Sequence, residues 1–229
     1  MADGSTALIL GASRGLGLAL AQEFLSRGYH VIGTVRSPST ALAEAGAAHD
    51  GRLDIEMVDI TDAAGLRALR QRLAGRRIDV VIVNAGIALS IEKSPAEADD
   101  ADFTAMMLTN ALAPVRALEL LEDLVPPGGV LAVMSSELGS IAMGSGFWQL
   151  YSASKAALNM LMKSFASRRK GDERAMLLLA PGWVRTDMGG EGALYSIEES
   201  IPKVVDVVEA SRGAPGLRFV DRFGKELPW

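Results

Sequence analysis

The chain has 229 residues, 49% hydrophobic and 22% charged, a composition typical of a soluble globular protein. Its 23 basic and 28 acidic side chains give a net charge of −5 without long runs of like charge, which argues against a nucleic-acid or membrane-binding surface. Cysteine is absent, which excludes disulfides and thiol chemistry, and the two histidines lack ligand-spaced partners, so no metal site is predicted. No apolar stretch is long enough to cross a bilayer and no leader segment precedes the first strand, so we expect a cytoplasmic protein.

Short runs rich in Val, Ile and Leu alternate with longer segments of helical periodicity along the chain. Strands are predicted at Thr6–Leu10, His30–Val35, Leu53–Val58, Ile78–Val83, Val130–Met134, Ala175–Leu179 and Leu217–Val220. Helices are predicted at Gly15–Arg27, Ala63–Ala74, Asp102–Leu124, Tyr151–Arg168 and Ile197–Ala210. Because the strands are almost wholly apolar, helices should cover both faces of a mainly parallel sheet. The predicted fold is α/β, one doubly wound domain of Rossmann type over residues 1–229 with seven strands.

A glycine-rich turn follows the first predicted strand and leads directly into the first predicted helix. It reads Gly11-Ala12-Ser13-Arg14-Gly15-Leu16-Gly17. Glycine permits a tight turn and a close backbone approach, while a helix N-terminus offers free N–H groups to a phosphate. The spacing is not the commoner G-x-G-x-x-G, and a merely flexible loop is the alternative. The strand–turn–helix context nevertheless favours a dinucleotide pyrophosphate site.

The end of the second strand lacks the acid that would accept the ribose hydroxyls of NAD. Thr34-Val35-Arg36-Ser37 stands there instead. Arg36, together with Arg14 of the glycine loop, is suited to clamp a 2′-phosphate, although each alone would pass for a solvated loop arginine. The sequence therefore favours NADP(H) over NAD(H).

Three further segments lie where the remaining strands end or their helices begin. Asp59-Ile60 could reach an adenine edge, although Asp59 could equally cap a helix. Asn84-Ala85-Gly86 ends the fourth strand with small residues that let the backbone pass close to a cofactor. Asn110 is an amide among apolar neighbours and is either a structural hydrogen-bonding group or part of a proton path.

Tyr151 and Lys155 stand four residues apart at the start of a predicted helix and so share one face. A cation held near a phenol lowers its pKa toward the range useful for acid–base catalysis. The alternative is an ordinary surface pair.

Ser136 ends the fifth strand at the sheet edge where open α/β folds bind ligands. The segments 139–150 and 189–196 are predicted to be loops beside this edge that cover a largely apolar substrate.

Taken together, these motifs resemble the short-chain dehydrogenase/reductase family over the whole chain. The resemblance rests on the glycine loop, Asn84-Ala85-Gly86, Asn110, Ser136, Tyr151-x-x-x-Lys155 and Pro181-Gly182, in the family's order. Four stretches are similar to the C-factor and sniffer-like carbonyl reductase branch: 135–141, 152–160, 181–190 and 224–229. The gap between Ser136 and Tyr151 is longer than is usual in the family.

The resemblance implies a role for each site residue. Tyr151 would donate a proton to a carbonyl oxygen, Ser136 would hydrogen-bond that oxygen, and Ser135 is a weaker candidate for the same role. Lys155 would lower the pKa of Tyr151 and bind the nicotinamide ribose, and Asn110 would hold a water molecule linking Lys155 to solvent. The remaining cofactor contacts would come from Pro181, Gly182, Val184 and Thr186.

These roles predict an NADPH-dependent reductase of an aldehyde or ketone, with a small carbonyl or alcohol substrate. An alternative is a nucleotide-binding signalling protein of C-factor type with little or no turnover. A sugar-nucleotide epimerase or dehydratase would need a larger C-terminal substrate domain, and only 48 residues follow Pro181.

The two long predicted helices, 102–124 and 151–168, are apolar on more than one side. In the second helix, Ala157, Leu161 and Phe165 form one apolar row, and Ala153, Ala156 and Met160 form another. One row is expected to pack on the sheet and the other on a second copy of the chain. A homodimer or homotetramer is therefore predicted.

Overall fold

The computed structural model describes residues 4–229 and contains one sheet of seven parallel strands. These are β1 (Thr6–Leu10), β2 (His30–Val35), β3 (Leu53–Met57), β4 (Val80–Val83), β5 (Val130–Met134), β6 (Ala175–Ala180) and β7 (Gly216–Asp221). Their order across the sheet is β3-β2-β1-β4-β5-β6-β7. The strand order reverses between β1 and β4, and a crevice for a ligand opens at such a point in doubly wound sheets.

Helices connect the strands and cover both faces of the sheet. They are α1 (Gly15–Ser26), α2 (Thr40–Ala47), α3 (Ala63–Arg72), α4 (Asp100–Met107), α5 (Ala113–Leu121), α6 (Gln149–Ser167) and α7 (Ile197–Ala210). Helices α1 and α7 pack together on one face, and α3, α5 and α6 pack on the other. The predicted α/β doubly wound fold is confirmed.

Two apolar cores lie on opposite sides of the sheet, because successive side chains of a strand point to opposite faces. In β1, Leu8 and Leu10 belong to the core under α3, α5 and α6, whereas Ala7 and Ile9 belong to the core under α1 and α7. The strands lie between two apolar layers, which is why their sequences read as continuous hydrophobic runs rather than as alternating ones.

Helix α2 was not predicted from the sequence. It is only eight residues long, and its segment contains a glycine, which lowers helix propensity. Ser39 caps it by accepting a hydrogen bond from the Leu42 amide at 3.3 Å. A Cβ on Gly46 would stand 2.8 Å from a methyl group of Leu53. The glycine that weakens the sequence signal is thus required for the helix to pack on β3.

The predicted helix 102–124 is wrong as a single element. Helix α4 is followed by a wide turn of π type at Leu108–Leu112, then by α5, and the segment ends in a 3₁₀ turn at Glu122–Leu124. A π turn inserts one extra residue into a helix and occurs most often at functional sites. In this chain it carries Asn110, which is buried.

The buried face of α6 is wider than the row predicted to pack on the sheet. Of the row Ala157, Leu161 and Phe165, only Phe165 is fully buried, while Ala157 and Leu161 are partly buried against the same core. Leu158 and Met162 are fully buried in this core as well. Met160, in the second predicted row, is 65% exposed.

Among residues 4–229, no helix combines the length and the apolar character needed to cross a membrane.

Candidate active site

A cavity of about 710 Å³ opens at the carboxyl ends of the central strands. Most residues predicted as site residues line it: Gly11, Ser13, Arg14, Gly15, Leu16, Arg36, Asp59, Ile60, Asn84, Ala85, Gly86, Ser136, Tyr151, Lys155, Pro181, Gly182, Val184 and Thr186. Gly17 and Asn110 are not part of the lining. Parallel strands end at one edge of the sheet, so residues far apart in sequence meet there.

The glycine loop and the turn after β4 are locked together at the strand crossover. Gly11 has a φ of 89°, and a Cβ at this position would stand 2.8 Å from the Cβ of Ala85. The Asn84 amide donates a hydrogen bond of 3.0 Å to the Gly11 carbonyl. Glycine is therefore required at position 11 for both backbone conformation and space. The hydrogen bond from the Asn84 side chain holds the glycine loop in place.

Gly17 serves packing rather than ligand contact. A Cβ on Gly17 would lie 1.9 Å from the Gly11 carbonyl oxygen and 2.6 Å from the Asn84 amide nitrogen. Its lack of a side chain lets α1 approach the end of β1 closely, which is the role of the third glycine in dinucleotide-binding turns. The N-terminus of α1 has no side-chain cap and faces the cavity.

The two predicted phosphate-binding arginines lie at one end of the cavity but differ in their partners. Arg14 pairs with Asp187 at 2.8 Å, with both side chains more than 70% exposed, so the pair is solvent-screened and weak. Arg36 makes no ion pair with the residues that the structure describes. Burial would raise the pKa of Asp59, but hydrogen bonds from Thr61 and the charge of Arg36 hold it below its usual value.

Asn110 is fully buried and its amide is fully engaged. Its Oδ1 accepts a hydrogen bond from the Ile87 amide at 2.8 Å, and its Nδ2 donates to the Ile87 carbonyl at 2.7 Å and to the Ser154 hydroxyl at 3.0 Å. These bonds fix the backbone just after Asn84-Ala85-Gly86. The sequence leaves open whether Asn110 is a structural hydrogen-bonding group or part of a proton path. The contacts of its side chain fit the structural interpretation.

The two serines that follow β5 have different environments. The Ser135 hydroxyl is buried and donates to Asn159 Oδ1 at 2.7 Å. The Ser136 side chain is partly exposed in the cavity, and its Oγ accepts from the Leu138 amide at 3.2 Å. The geometry favours Ser136 as the hydroxyl available to a substrate, because Ser135 is already committed to α6.

Tyr151 lies in the wall of the cavity and is 8% exposed as a residue. Burial raises its pKa above the usual value of a tyrosine, although a hydrogen bond with Ser136 acts in the opposite direction. The net direction is thus a raised pKa and not the predicted lowered one. Lys155 Nζ lies 5.6 Å from the centroid of the Tyr151 ring, and it donates its hydrogen bond to the Met134 carbonyl at 2.8 Å.

Lys155 is 3% exposed, and burial lowers the pKa of its ammonium group to about 8. A Cβ added to Gly86 would stand 3.6 Å from Lys155 Nζ and 3.3 Å from Asn110 Oδ1. Gly86 therefore leaves open the space above the amine. A hydroxyl-bearing ligand in the cavity could reach both Lys155 and Tyr151 there.

An aromatic wall stands beside Tyr151. The ring of Trp148 lies edge to face against the ring of Tyr151, with 5.6 Å between their centroids, and stacks on the ring of Phe147, with 5.2 Å between centroids. Phe147 in turn contacts Trp183, with 6.0 Å between ring centroids. Trp148 has a φ of 46° at the start of α6, a strained conformation for a bulky side chain. The sequence places Phe147 and Trp148 in a loop near the site but gives no signal of this stacking.

The segment after β6 is held over the cavity by its own hydrogen bonds. The Arg185 amide donates to the Tyr195 carbonyl at 2.8 Å, and the Tyr195 amide donates to the Trp183 carbonyl at 3.1 Å. Val184 is buried and Thr186 lines the cavity. The predicted loop 189–196 is thus tied to the residues that line the site.

Comparison with known proteins agrees with this geometry. Residues 5–193 match the family model for short chain dehydrogenases. A crystal structure of a short-chain dehydrogenase/reductase from Burkholderia multivorans with bound NADP superimposes with a TM-score of 0.96 at 48% identity, covering 98% of this chain and 99% of that chain.

Two further relatives indicate the branch of the family. The carbonyl reductase Sniffer of D. melanogaster superimposes with a TM-score of 0.87 at 26% identity, covering 98% of this chain and 99% of that one. The C-signal protein of Myxococcus xanthus is 32% identical over 167 residues, which is 72% of this chain and all of that protein.

Since the family model covers most of the chain, the protein belongs to the short-chain dehydrogenase family and is an oxidoreductase by class. Within that family it falls in the C-factor and sniffer-like branch, as its motifs predicted.

Replacing Lys155 by Met should make the protein more stable at pH 7, by on the order of 2 kcal/mol, because it removes a buried charge. In the wild type, the pKa of Lys155 is lowered from 10.5 to about 8 in the folded state. The unfolded chain therefore binds more protons between these values, and stability rises with pH across that window.

Thermal unfolding at pH 7 and pH 9.5 measures this rise. We expect it to be smaller in Lys155→Met than in the wild type. Lys163→Met, which replaces an exposed lysine of the same helix, should keep the wild-type pH dependence. An identical pH dependence in all three proteins would contradict the burial of the Lys155 charge.

Proposed function

We propose that the protein reduces an aldehyde or ketone with NADPH, with Tyr151 as the proton donor. The observation that carries the proposal is the meeting of Ser136, Tyr151 and Lys155 in the same cavity as the glycine loop, Arg14 and Arg36. One cavity thus offers groups suited to a carbonyl oxygen at one end and groups suited to a phosphorylated nucleotide at the other.

The residues present fit NADP(H). Gly11 and Gly15 have positive φ and leave room for a pyrophosphate at the uncapped N-terminus of α1. Arg36 and Arg14 would hold the 2′-phosphate, for which the guanidinium fork is suited. No carboxylate follows β2 directly, which supports a preference for NADP(H) over NAD(H). The bound NADP of the Burkholderia relative supports the same assignment.

The other predicted contacts complete the cofactor site. Asp59 and Ile60 would border the adenine, and the turn Asn84-Ala85-Gly86 would pass beneath the ribose. Val184 and Thr186, supported by Pro181 and Gly182, would orient the carboxamide of the nicotinamide. When bound, the reduced cofactor supplies the hydride; the protein supplies position and electrostatics.

The proton follows from the chemistry of Tyr151. Its raised pKa keeps the phenol protonated at neutral pH, so a proton is available for the oxygen of the reduced carbonyl. Ser136 would donate a hydrogen bond to that oxygen and align it with the phenol. The phenolate left behind would be stabilised by the nearby ammonium group of Lys155. By stabilising the phenolate, Lys155 lowers the free-energy cost of transferring the proton to the carbonyl oxygen.

The substrate end of the cavity is mostly apolar. Its walls include Leu138, Phe147, Trp148, Trp183 and Leu194. Several of these side chains are also partly exposed at the mouth, with Leu194 67% and Phe147 45% exposed. An apolar carbonyl compound would bury this surface on binding, so we propose a largely apolar substrate.

Replacing Tyr151 by Phe should abolish carbonyl reduction and leave NADPH binding nearly unchanged, because only the transferable proton is lost. Turnover is followed by the loss of NADPH absorbance with a panel of aldehydes and ketones, and binding by fluorescence titration. Tyr29→Phe is the matched control, since its buried hydroxyl near Arg212 is remote from the cavity. Full activity in Tyr151→Phe would overturn the assignment.

Replacing Arg36 by Ala should raise the Kd of NADPH by about 10- to 100-fold, as expected for the loss of charged hydrogen bonds. The Kd of NADH should change much less, because NADH has no 2′-phosphate. Arg67→Ala, an exposed arginine on α3, should leave both constants unchanged. Equal losses for the two cofactors would remove Arg36 from the phosphate site.

A second candidate function is nucleotide-dependent signalling without turnover, which the similarity to C-signal favours. The panel of aldehydes and ketones distinguishes signalling from carbonyl reduction. Intact NADPH binding with complete inertness toward every carbonyl would support signalling and contradict the reductase proposal.

We further propose a homodimer or homotetramer formed through the segments 102–124 and 151–168. Phe103, Leu112 and Met160 leave exposed apolar surface on these segments. Met160→Lys should lower the mass measured by light scattering, because it places a charge in the interface. Met57→Lys, an exposed position on the edge strand β3, should not. A monomeric wild type would contradict this proposal.

A further inference from the structure

Asn159 is a buried polar residue that takes no direct part in the proposed carbonyl reduction. It lies on α6 one helical turn after Lys155 and is 4% exposed. Its side chain does not line the cavity. It nevertheless touches the segment that carries Ser136 at two separate points.

The two contacts enclose Ser136. Asn159 Oδ1 accepts a hydrogen bond of 2.7 Å from the Ser135 hydroxyl, and Asn159 Nδ2 donates one of 3.1 Å to the Gly139 carbonyl. Ser135 precedes Ser136, and Gly139 ends the short 3₁₀ turn, Glu137–Gly139, that Ser136 caps. One amide therefore holds both ends of the segment 135–139.

The packing of Gly139 shows that the segment lies directly against the helix. A Cβ on Gly139 would stand 3.0 Å from the Lys155 carbonyl carbon and 3.1 Å from Asn159 Nδ2. Lys155 Nζ also bonds to the Met134 carbonyl, just before this segment. Helix α6 thus fixes residues 134–139 at three points while it also carries Tyr151.

We propose that Asn159 is a positioning residue of the active site, which sets the Ser136 hydroxyl in register with the Tyr151 phenol by holding the segment 135–139 on α6. This inference rests on the proposed carbonyl reduction. The two hydroxyls must meet the same carbonyl oxygen, and small misplacements of such groups cost large factors in rate. Without the amide, two of the three hydrogen bonds that tie residues 134–139 to this helix would be lost.

The test compares kcat, the Kd of NADPH and thermal stability across a set of variants. Asn159→Leu removes both hydrogen bonds at similar volume and should lower kcat by about 10- to 100-fold, with the Kd of NADPH unchanged. Asn159→Asp retains the acceptor for Ser135 and loses the donor to Gly139, so its loss of kcat should be smaller. An unchanged kcat in Asn159→Leu would overturn the inference.

A double-mutant cycle separates positioning from general damage. Ser135→Ala breaks the same chain of hydrogen bonds and should lower kcat several-fold, but it should cause no further loss in the Asn159→Leu background. Independent, multiplicative losses would overturn the inference. If Asn159→Leu does not fold, Ser135→Ala and Asn159→Asp carry the test, and wild-type kcat in both would overturn it.

Met162→Ala is the control for destabilisation. Met162 is fully buried on the same helix, in the core beneath it. This variant should lower the unfolding temperature and retain wild-type kcat below it. An equal loss of kcat in Met162→Ala would show that kcat reports packing alone, and the inference would fail. A wild type inert toward all carbonyls would instead contradict the proposed function itself.

Discussion

The burial of a lysine inside the wall of the cavity is the constraint on which the site depends. Lys155 costs stability where it lies, since a charge out of water is unfavourable unless its hydrogen bonds are satisfied. The Met134 carbonyl satisfies one of them, and this hydrogen bond links α6 to the end of β5. The helix that carries Tyr151 and Lys155 is therefore tied directly to the strand that leads into the serine segment.

The fold and the cofactor-binding end of the site could be predicted from the sequence, because both depend on residues whose type indicates a particular backbone structure. The apolar strands identify a sheet buried on both faces, and Gly11, Gly15 and Gly17 mark a turn that only glycine can build. These signals are local, since each can be read within a few residues. The order of the strands then brings the local signals to one edge of the sheet without further information.

Interactions between distant segments were the part that sequence could not show. Nothing near Asn159 indicates that its partners would be Ser135 and Gly139, and nothing near Phe147 indicates that its ring would contact Trp183. The raised pKa of Tyr151 also lay beyond the sequence, because spacing on a helix shows that Tyr151 is close to Lys155 but not that its side chain is buried. Burial is a property of the whole packed molecule.

The π turn between α4 and α5 restricts how this protein can change length over evolution. Losing one residue from Leu108–Leu112 would restore a regular helix but rotate α4 by about 100° relative to α5. Met106, which is fully buried against Leu150 and Tyr151, would leave this contact. Asn110 would lose its hydrogen bonds with the Ile87 backbone. Insertions and deletions should therefore accumulate in surface loops of related chains and avoid this short stretch.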